Sequence, residues 1–530
     1  MTRAARSWPA LLLLPLALAA CGDAPAAPEE RMAERVAQLR GDPAALTALL
    51  RRMPKGADLH SHLTGAVSTE SLIGWGIAAD LCVDDASLTS SSPPCGAGQL
   101  PMRDAAGDPD LYARILAAWS MEGFDGPLLP RHEHFFATFG KFGAAAANRA
   151  ADILVEQKRE AAGEHLVYLE ILSSFGSSAV SALGTEVLPP DDVWSPAYLL
   201  QKRATLLADE RFGAALDSGE EFLAQTLAQT EQQLGCDTLS PEPACAVELR
   251  VQCTATRTQP RAAVFAQFLY CFELAQRDPR LVAANLLAPE EDVRSLAFYD
   301  DEMLAVGSLR DLYASTAGLR PVHVSLHAGE LVPEVLPDTP EGQANLTFHI
   351  RRAVELGNAE RIGHGSDVRY ENEGPGRTPE TLLATLRERG VLIEISLTSS
   401  AVVLGLTGDT HPLATYLAHD VPVALATDDE GVLRTDLSRE YARAVLLQDL
   451  DYPTLKRLSR NGLEYAFVEG ASLFAERGSY QQLASACAGE RPAAGDPQPG
   501  CARFLRENRR AALQWQLEAD LAAFEDAPQG

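Results

Sequence analysis

The sequence predicts an α/β chain built on eight parallel strands, a (β/α)8 TIM-type barrel with insertions in its βα and αβ loops. Three observations predict it. Eight short apolar runs recur along the 530 residues. Helical stretches such as 148–161, 262–277 and 380–389 fall between them, and strand and helix alternating in this way argue for a parallel sheet. Polar, chemistry-bearing residues stand at the C-terminal ends of runs one, five, six and eight, the face on which such barrels carry their sites.

In order, the first run is 57–63, just after Pro54-Lys55-Gly56, and it carries His60 and His62. Runs 166–172, 247–254 and 281–288 follow. The fifth, 321–326, leads into His327-Ala328-Gly329-Glu330, and Arg361-Ile362 leads into Gly363-His364-Gly365. The seventh is 391–397, and the eighth, 421–426, leads into Thr427-Asp428-Asp429. Extra length lies in 74–131, in 173–246 and after Glu476. The first insertion follows strand one, so part of it should cover the face that bears the site. The resulting division is a leader at 1–20, a tether and N-terminal segment at 21–50, the barrel at 51–475 and a C-terminal helical extension at 476–530.

Residues two apart on a strand point to the same face, so His60 and His62 can reach one metal ion together. A third imidazole from His327 and a carboxylate from Asp428 complete a protein ligand set with an open position for water, the mark of a catalytic rather than a structural zinc site. Taken singly, these groups have plainer readings. A lone histidine near a strand end is more often a hydrogen-bonded core or surface residue. Glu330 and the Asp428-Asp429 pair would serve equally as helix caps. The joint pattern favours the metal.

At these residues the chain resembles the adenosine deaminase family of the amidohydrolase superfamily. The resemblance runs from about Pro54 to Asn461 through five blocks in the family's order: Leu59-His60-Ser61-His62-Leu63-Thr64-Gly65-Ala66, His327-Ala328-Gly329-Glu330, Arg361-Ile362-Gly363-His364-Gly365, Glu394-Ile395-Ser396-Leu397-Thr398-Ser399-Ser400 and Ala426-Thr427-Asp428-Asp429. It implies one Zn2+ per chain and hydrolytic deamination of adenosine or a close purine nucleoside to inosine and ammonia. It implies that Glu330 donates a proton to purine N1 and relays protons to the leaving ammonia, that His364 holds the attacking oxygen, and that Asp429 meets N7. It also implies substrate contacts at Thr64, Gly65 and Ala288.

The chain departs from the family at positions that bear on substrate. Thr64 stands where an acidic residue or Asn is usual, at a position tied to the ribose. Ala288, in Asn285-Leu286-Leu287-Ala288-Pro289-Glu290, stands where Gly is usual. Ser396-Leu397 replaces a Cys-Pro found in some members, and Glu430 a common Pro. Two alternatives therefore stand beside adenosine: deamination of another aminopurine compound, and a catalytically weak surface receptor for nucleosides. Intact Glu330, His364 and Asp428 weigh against the receptor.

Arg3 and Arg6 precede an apolar segment, 8–20, that is short for a bilayer span, and Leu18-Ala19-Ala20-Cys21 matches a bacterial lipobox. The expectation is a lipid anchor at Cys21 and a place in the bacterial cell envelope, facing the periplasm or the outside; a signal cleaved near Ala20 with an unmodified Cys21 is the alternative. Eight other cysteines remain, an even number that suggests disulfides in an exported chain. Sequence neighbours suggest Cys82–Cys95, Cys236–Cys245, Cys253–Cys271 and Cys487–Cys501, among the 105 pairings that eight cysteines allow. For Cys253 and Cys271, inside a strand and a helix, buried free thiols are the alternative.

A formal net charge of −28 disfavours nonspecific nucleic-acid binding, which needs a basic surface. The sequence selects no oligomeric state. His132-Glu133-His134 lacks the HExxH spacing of a zincin helix, and these histidines, with His165, His323, His349, His411 and His419, are expected to be structural. Phe135, Phe136, Phe139 and Phe142 have helical spacing, which points to core packing first and a pocket wall second.

Overall fold

The structure, a computed structural model, describes residues 27–527; the leader and Cys21 lie outside the described residues. Eight strands form one sheet: β1 (Gly56–His62), β2 (Leu166–Ser173), β3 (Glu248–Thr256), β4 (Leu281–Leu287), β5 (His323–Ala328), β6 (Arg361–His364), β7 (Leu392–Ile395) and β8 (Val423–Leu425). Each pairs with the next in sequence and every pairing is parallel. A parallel bridge between Ser61 and Asp428 joins the first strand to the end of the last and closes the barrel. All eight expected runs are strands, with ends shifted by a few residues. Leu63, for example, opens a short helix, Leu63–Ala66, in place of ending β1.

Because helices cover the outside, the strands are buried on both faces. The barrel interior is not wholly apolar. Beneath the site, a chain of polar side chains crosses seven consecutive strands, one residue from each. His327 Nδ1 lies 3.0 Å from Asn285 Oδ1. Asn285 Nδ2 donates to Gln252 Oε1 at 2.8 Å, and Gln252 Nε2 to Glu170 Oε2 at 3.0 Å. Arg361 donates to the same Glu170 oxygen at 2.5 Å, and its Nε lies 2.7 Å from Glu394 Oε1. Glu394 Oε2 is 2.7 Å from His60 Nδ1. Burial of these groups is tolerated because each finds a partner.

The insertions are folded. Segment 74–131 contains a small antiparallel sheet of Cys82–Asp84, Ser90–Ser91 and Gln99–Pro101, stapled by Cys82–Cys95. It leads to the helix Leu128–Ala146, which lies over the site. Segment 173–246 is helical and wraps the helix Arg261–Arg277, which is buried on nearly every side. Cys253–Cys271 pins that helix to β3, and Cys236–Cys245 and Cys487–Cys501 close shorter loops. All four neighbour pairings are therefore formed.

Two segments differ from expectation. From Pro28 onward the 21–50 region is helical (Pro28–Gln38 and Pro43–Arg51). It docks through buried Met32, Val36, Leu46, Leu49 and Leu50, whose spacing makes each helix amphipathic. The region after 475 is not a helical extension throughout. It opens with a hairpin, Phe474–Glu476 paired with Ser479–Leu483, turned at Gly478 with φ +74°. Only Pro499–Glu507 and Arg509–Asp526 are longer helices there. No helix among the described residues is long and apolar enough to cross a membrane.

Candidate metal centre

The four expected ligand groups converge at the C-terminal end of the barrel. His60 Nε2 is 3.0 Å and His62 Nε2 3.1 Å from His327 Nε2. Asp428 Oδ1 is 3.2 Å from His62 Nε2 and 3.7 Å from His60 Nε2. Ligands at about 2.0–2.1 Å from a tetrahedral zinc lie about 3.3 Å apart, so the donor set has the right size. Its composition, three imidazoles and a carboxylate, also suits zinc.

The tautomers agree. Glu394 and Asn285 accept from the Nδ1 atoms of His60 and His327, which leaves both Nε2 lone pairs facing inward. Burial alone would raise the Glu394 carboxyl, but Arg361 and His60 outweigh it and hold the group below the usual range. Asp58 fixes the seam beside the ligands. It accepts from the His60 amide at 3.0 Å and from Thr427 N and Oγ1 at 3.1 and 2.7 Å.

Glu330 and His364 face the cluster. Glu330 Oε2 is 3.7 Å from His364 Nε2, and with Asp428 these residues form a second convergent group. His364 is buried with neither ring nitrogen hydrogen-bonded, and burial pushes its pKa down. Burial pushes the Glu330 carboxyl well up, and Asp428, Glu290 and Glu291 add to the effect. Asp429 is raised too, by burial first and by Asp428 and Glu330, and its Oδ1 is buried without a partner. Left-handed backbone at His364 (φ +68°) and Asp428 (φ +65°) re-aims both side chains where the strands end. Gly65 is obligatory here: a Cβ at that position would lie 1.6 Å from Asp429 Oδ1.

These groups line one end of a cavity of about 490 Å3. Thr64 and Ala288 line it as well, and Phe135, Phe136 and Phe139 of the Leu128–Ala146 helix form an apolar wall. Phe142 lies in the core, so the aromatic run divides between the two expected roles. Among the described residues no Lys or Arg lines the cavity. His132 is structural, bonded to Glu291 and to the Val403 carbonyl.

Sequence reasoning did not assign Glu394, Asn285 or Glu290 to the site. Glu394 and Asn285 hydrogen-bond the Nδ1 atoms of His60 and His327, two of the candidate ligands. Glu290 accepts from the amides of Gly329 and Glu330 at 3.0 and 2.8 Å. All three stand in segments that were legible, yet a carboxylate or amide inside a strand-like run, as at Glu394 and Asn285, or in the loop that follows one, as at Glu290, carries no signal of what it faces.

Comparison with known proteins gives a consistent picture. Residues 240–473 match the family profile described as adenosine deaminase. An adenosine deaminase of Yersinia pseudotuberculosis is 32% identical over 187 residues, which are 35% of this chain and 49% of that protein. An aminodeoxyfutalosine deaminase of Streptomyces coelicolor is 37% identical over 112 residues, 21% of this chain and 27% of that protein. The chain thus spans about half the length, or less, of these curated relatives. Among solved structures, the Arabidopsis N6-mAMP deaminase aligns with TM-score 0.48 and 18% identity over 79% of this chain and 95% of that one.

Proposed function

We propose that the chain is a zinc-dependent aminohydrolase that converts adenosine, or a close purine nucleoside, and water to inosine and ammonia. The observation that carries this reading is the convergence of His60, His62, His327 and Asp428 at the floor of a cavity that also presents Glu330, His364 and Asp429. The adenosine deaminase profile over residues 240–473 supports the same chemistry.

When bound, zinc supplies Lewis-acid activation of water. The chain's own groups do the rest. A carboxyl held protonated by burial is a donor, so Glu330 places a proton on N1 as oxygen adds at C6. Neutral His364, with both nitrogens free, orients that oxygen and takes up its proton. Asp429, also kept protonated, donates to N7 and fixes the ring. Return of a proton through Glu330 to the amino group releases ammonia. The phenylalanine wall excludes bulk water from the far side of the ring.

Thr64 favours a second reading, in which the substrate is another aminopurine compound. It leaves the cavity without a carboxylate at the position the family uses toward ribose. The test is a spectrophotometric screen of purines and nucleosides on purified, zinc-assayed protein. Adenosine should yield inosine and ammonia with about one zinc per chain, and Glu330→Gln should keep the metal but lose about 10²–10⁴-fold in turnover. Deamination of a different aminopurine would move the substrate and leave the mechanism. Binding of nucleosides with no ammonia released from any of them would select the receptor reading.

The leader and the four disulfides support export, with Cys21 lipidated and the enzyme held at the cell envelope. Cys21→Ser should release the protein from membranes or leave its precursor unprocessed. An unacylated, wholly soluble wild-type protein would refute the anchor.

A further inference from the structure

At the opposite end of the barrel lies a second hollow, also of about 490 Å3, walled by the starts of β5, β6 and β7 and by the hairpin after Leu473. Arginines dominate it: Arg310, Arg361, Arg389, Arg477 and Arg510 line it, with Glu360 as the one carboxylate among the lining residues. In a chain with 73 acidic and 45 basic residues carboxylates are plentiful, and surface arginines such as Arg159, Arg277 and Arg434 are ion-paired. Of the arginines of the hollow, Arg310 and Arg361 are ion-paired and Arg389, Arg477 and Arg510 are not.

Arg389 donates to the Val354 carbonyl, and Arg477 lies 4.3 Å over the Tyr465 ring. Arg510 donates to the carbonyls of Ala466 and Val468, while its Nε is buried without any partner. None of these three ion-pairs with a carboxylate among the described residues. Glu360 is already engaged by His323 at 2.8 Å and sits 3.5 Å from Arg310. Arg361 is consumed by Glu170 and Glu394. The hollow therefore presents three guanidinium groups, of Arg389, Arg477 and Arg510, that have no ion pair among the described residues. Burial first pushes the Arg510 pKa down; Glu464 opposes it and Arg477 adds to it.

We propose that this hollow is a binding site for a small multiply charged phosphate, distinct from the deaminase cavity. A phosphate offers oxygens to more than one guanidinium fork at once, which a single carboxylate in so wide a hollow does not. Among the described residues the cavity of the proposed deaminase site has no Lys or Arg in its lining, which separates the two sites chemically: one suits a neutral ring, the other an anion.

The test is calorimetric titration of the full chain with inorganic pyrophosphate at about 0.15 M salt, which screens diffuse surface attraction. One saturable site per chain is expected. The double substitution Arg389→Glu with Arg477→Glu should weaken it at least tenfold, while Glu330→Gln leaves it unchanged. Both arginine side chains are exposed, so folding is preserved, and thermal unfolding of the variant checks this. No saturable heat, or equal affinity in the double variant, would overturn the proposal. A parallel arm uses Cys21→Ser protein and phosphatidylglycerol vesicles. Vesicle binding that pyrophosphate displaces and the double variant lacks identifies a lipid headgroup as the source, and pyrophosphate binding without vesicle binding identifies a soluble ligand.

Discussion

The carboxylate of Glu290 accepts the backbone N–H of Glu330 at 2.8 Å, so one buried glutamate holds the main chain of another. Its second oxygen takes the Gly329 amide at 3.0 Å, and His349 and Arg257 neutralise it from behind. Burial opposes ionisation, but Arg257 and His349 prevail and bring its pKa down to about 2. Glu290 is therefore held as an anion, while burial pushes the Glu330 carboxyl the other way. Glu290→Gln should lower kcat about 10–100-fold at unchanged zinc content, because the amide cannot accept both N–H groups. Steady-state kinetics beside metal analysis checks this, and unchanged kcat would deny the positioning role.

Glu394 should matter to the metal and less to the proton transfer. Loss of a carboxylate behind a ligand imidazole costs about 10–100-fold in metal affinity. Glu394→Gln should show that loss in a competition titration with a chromogenic chelator. At saturating zinc, most of its turnover should return.

Ala288 holds φ +87°, a conformation that suits glycine. Ala288→Gly should relieve about 1 kcal/mol of strain, partly offset by the greater freedom of glycine in the unfolded chain. A small rise in the urea midpoint is expected, with a change in preference among purine substrates because the Cβ lines the cavity.

His411 is buried and neutral. Its Nδ1 accepts the Leu413 amide, and burial, with Arg369 and His364, pushes its pKa down to about 3. A base with a depressed folded pKa binds fewer protons folded than unfolded, so its contribution is present above the unfolded value near 6.5 and is lost as pH falls toward 3. Between pH 6.5 and about 4 the loss is about 3 kcal/mol. His411→Gln, which cannot charge, should flatten the acid limb of stability measured by urea unfolding.

The barrel was legible because its strands are short apolar runs separated by helices, and the candidate ligands because His60, His62, His327 and Asp428 recur together at strand ends, a joint pattern that none of them carries alone. The small sheet at Cys82–Pro101 and the hairpin at 474–483 were not legible, since their strands are too short to set up an alternating pattern. Phe135, Phe136 and Phe139 illustrate a different limit. A helix face turned to a cavity and one turned to the core have the same periodicity, and only the three-dimensional placement of Leu128–Ala146 separates them. The belt from Asn285 through Gln252, Glu170 and Arg361 to Glu394 was hidden for a related reason: each member is one polar residue in an apolar strand, and the pattern exists only across strands.

The barrel seam has its own consequence. Between β1 and β8 the sheet is joined by the Ser61–Asp428 bridge, with His62 N donating to Asp428 O and Asp428 N to His60 O, both at 2.9 Å. Two candidate ligands sit on the first strand and one just past the last, so an ion held by all of them would act as a clasp across this join of the cylinder. Stripping it with a chelator should speed amide hydrogen exchange in 58–62 and 423–429 well before the rest of the sheet responds. The apo protein would then be a barrel ajar along one line, and metal supply would govern its lifetime as much as its turnover.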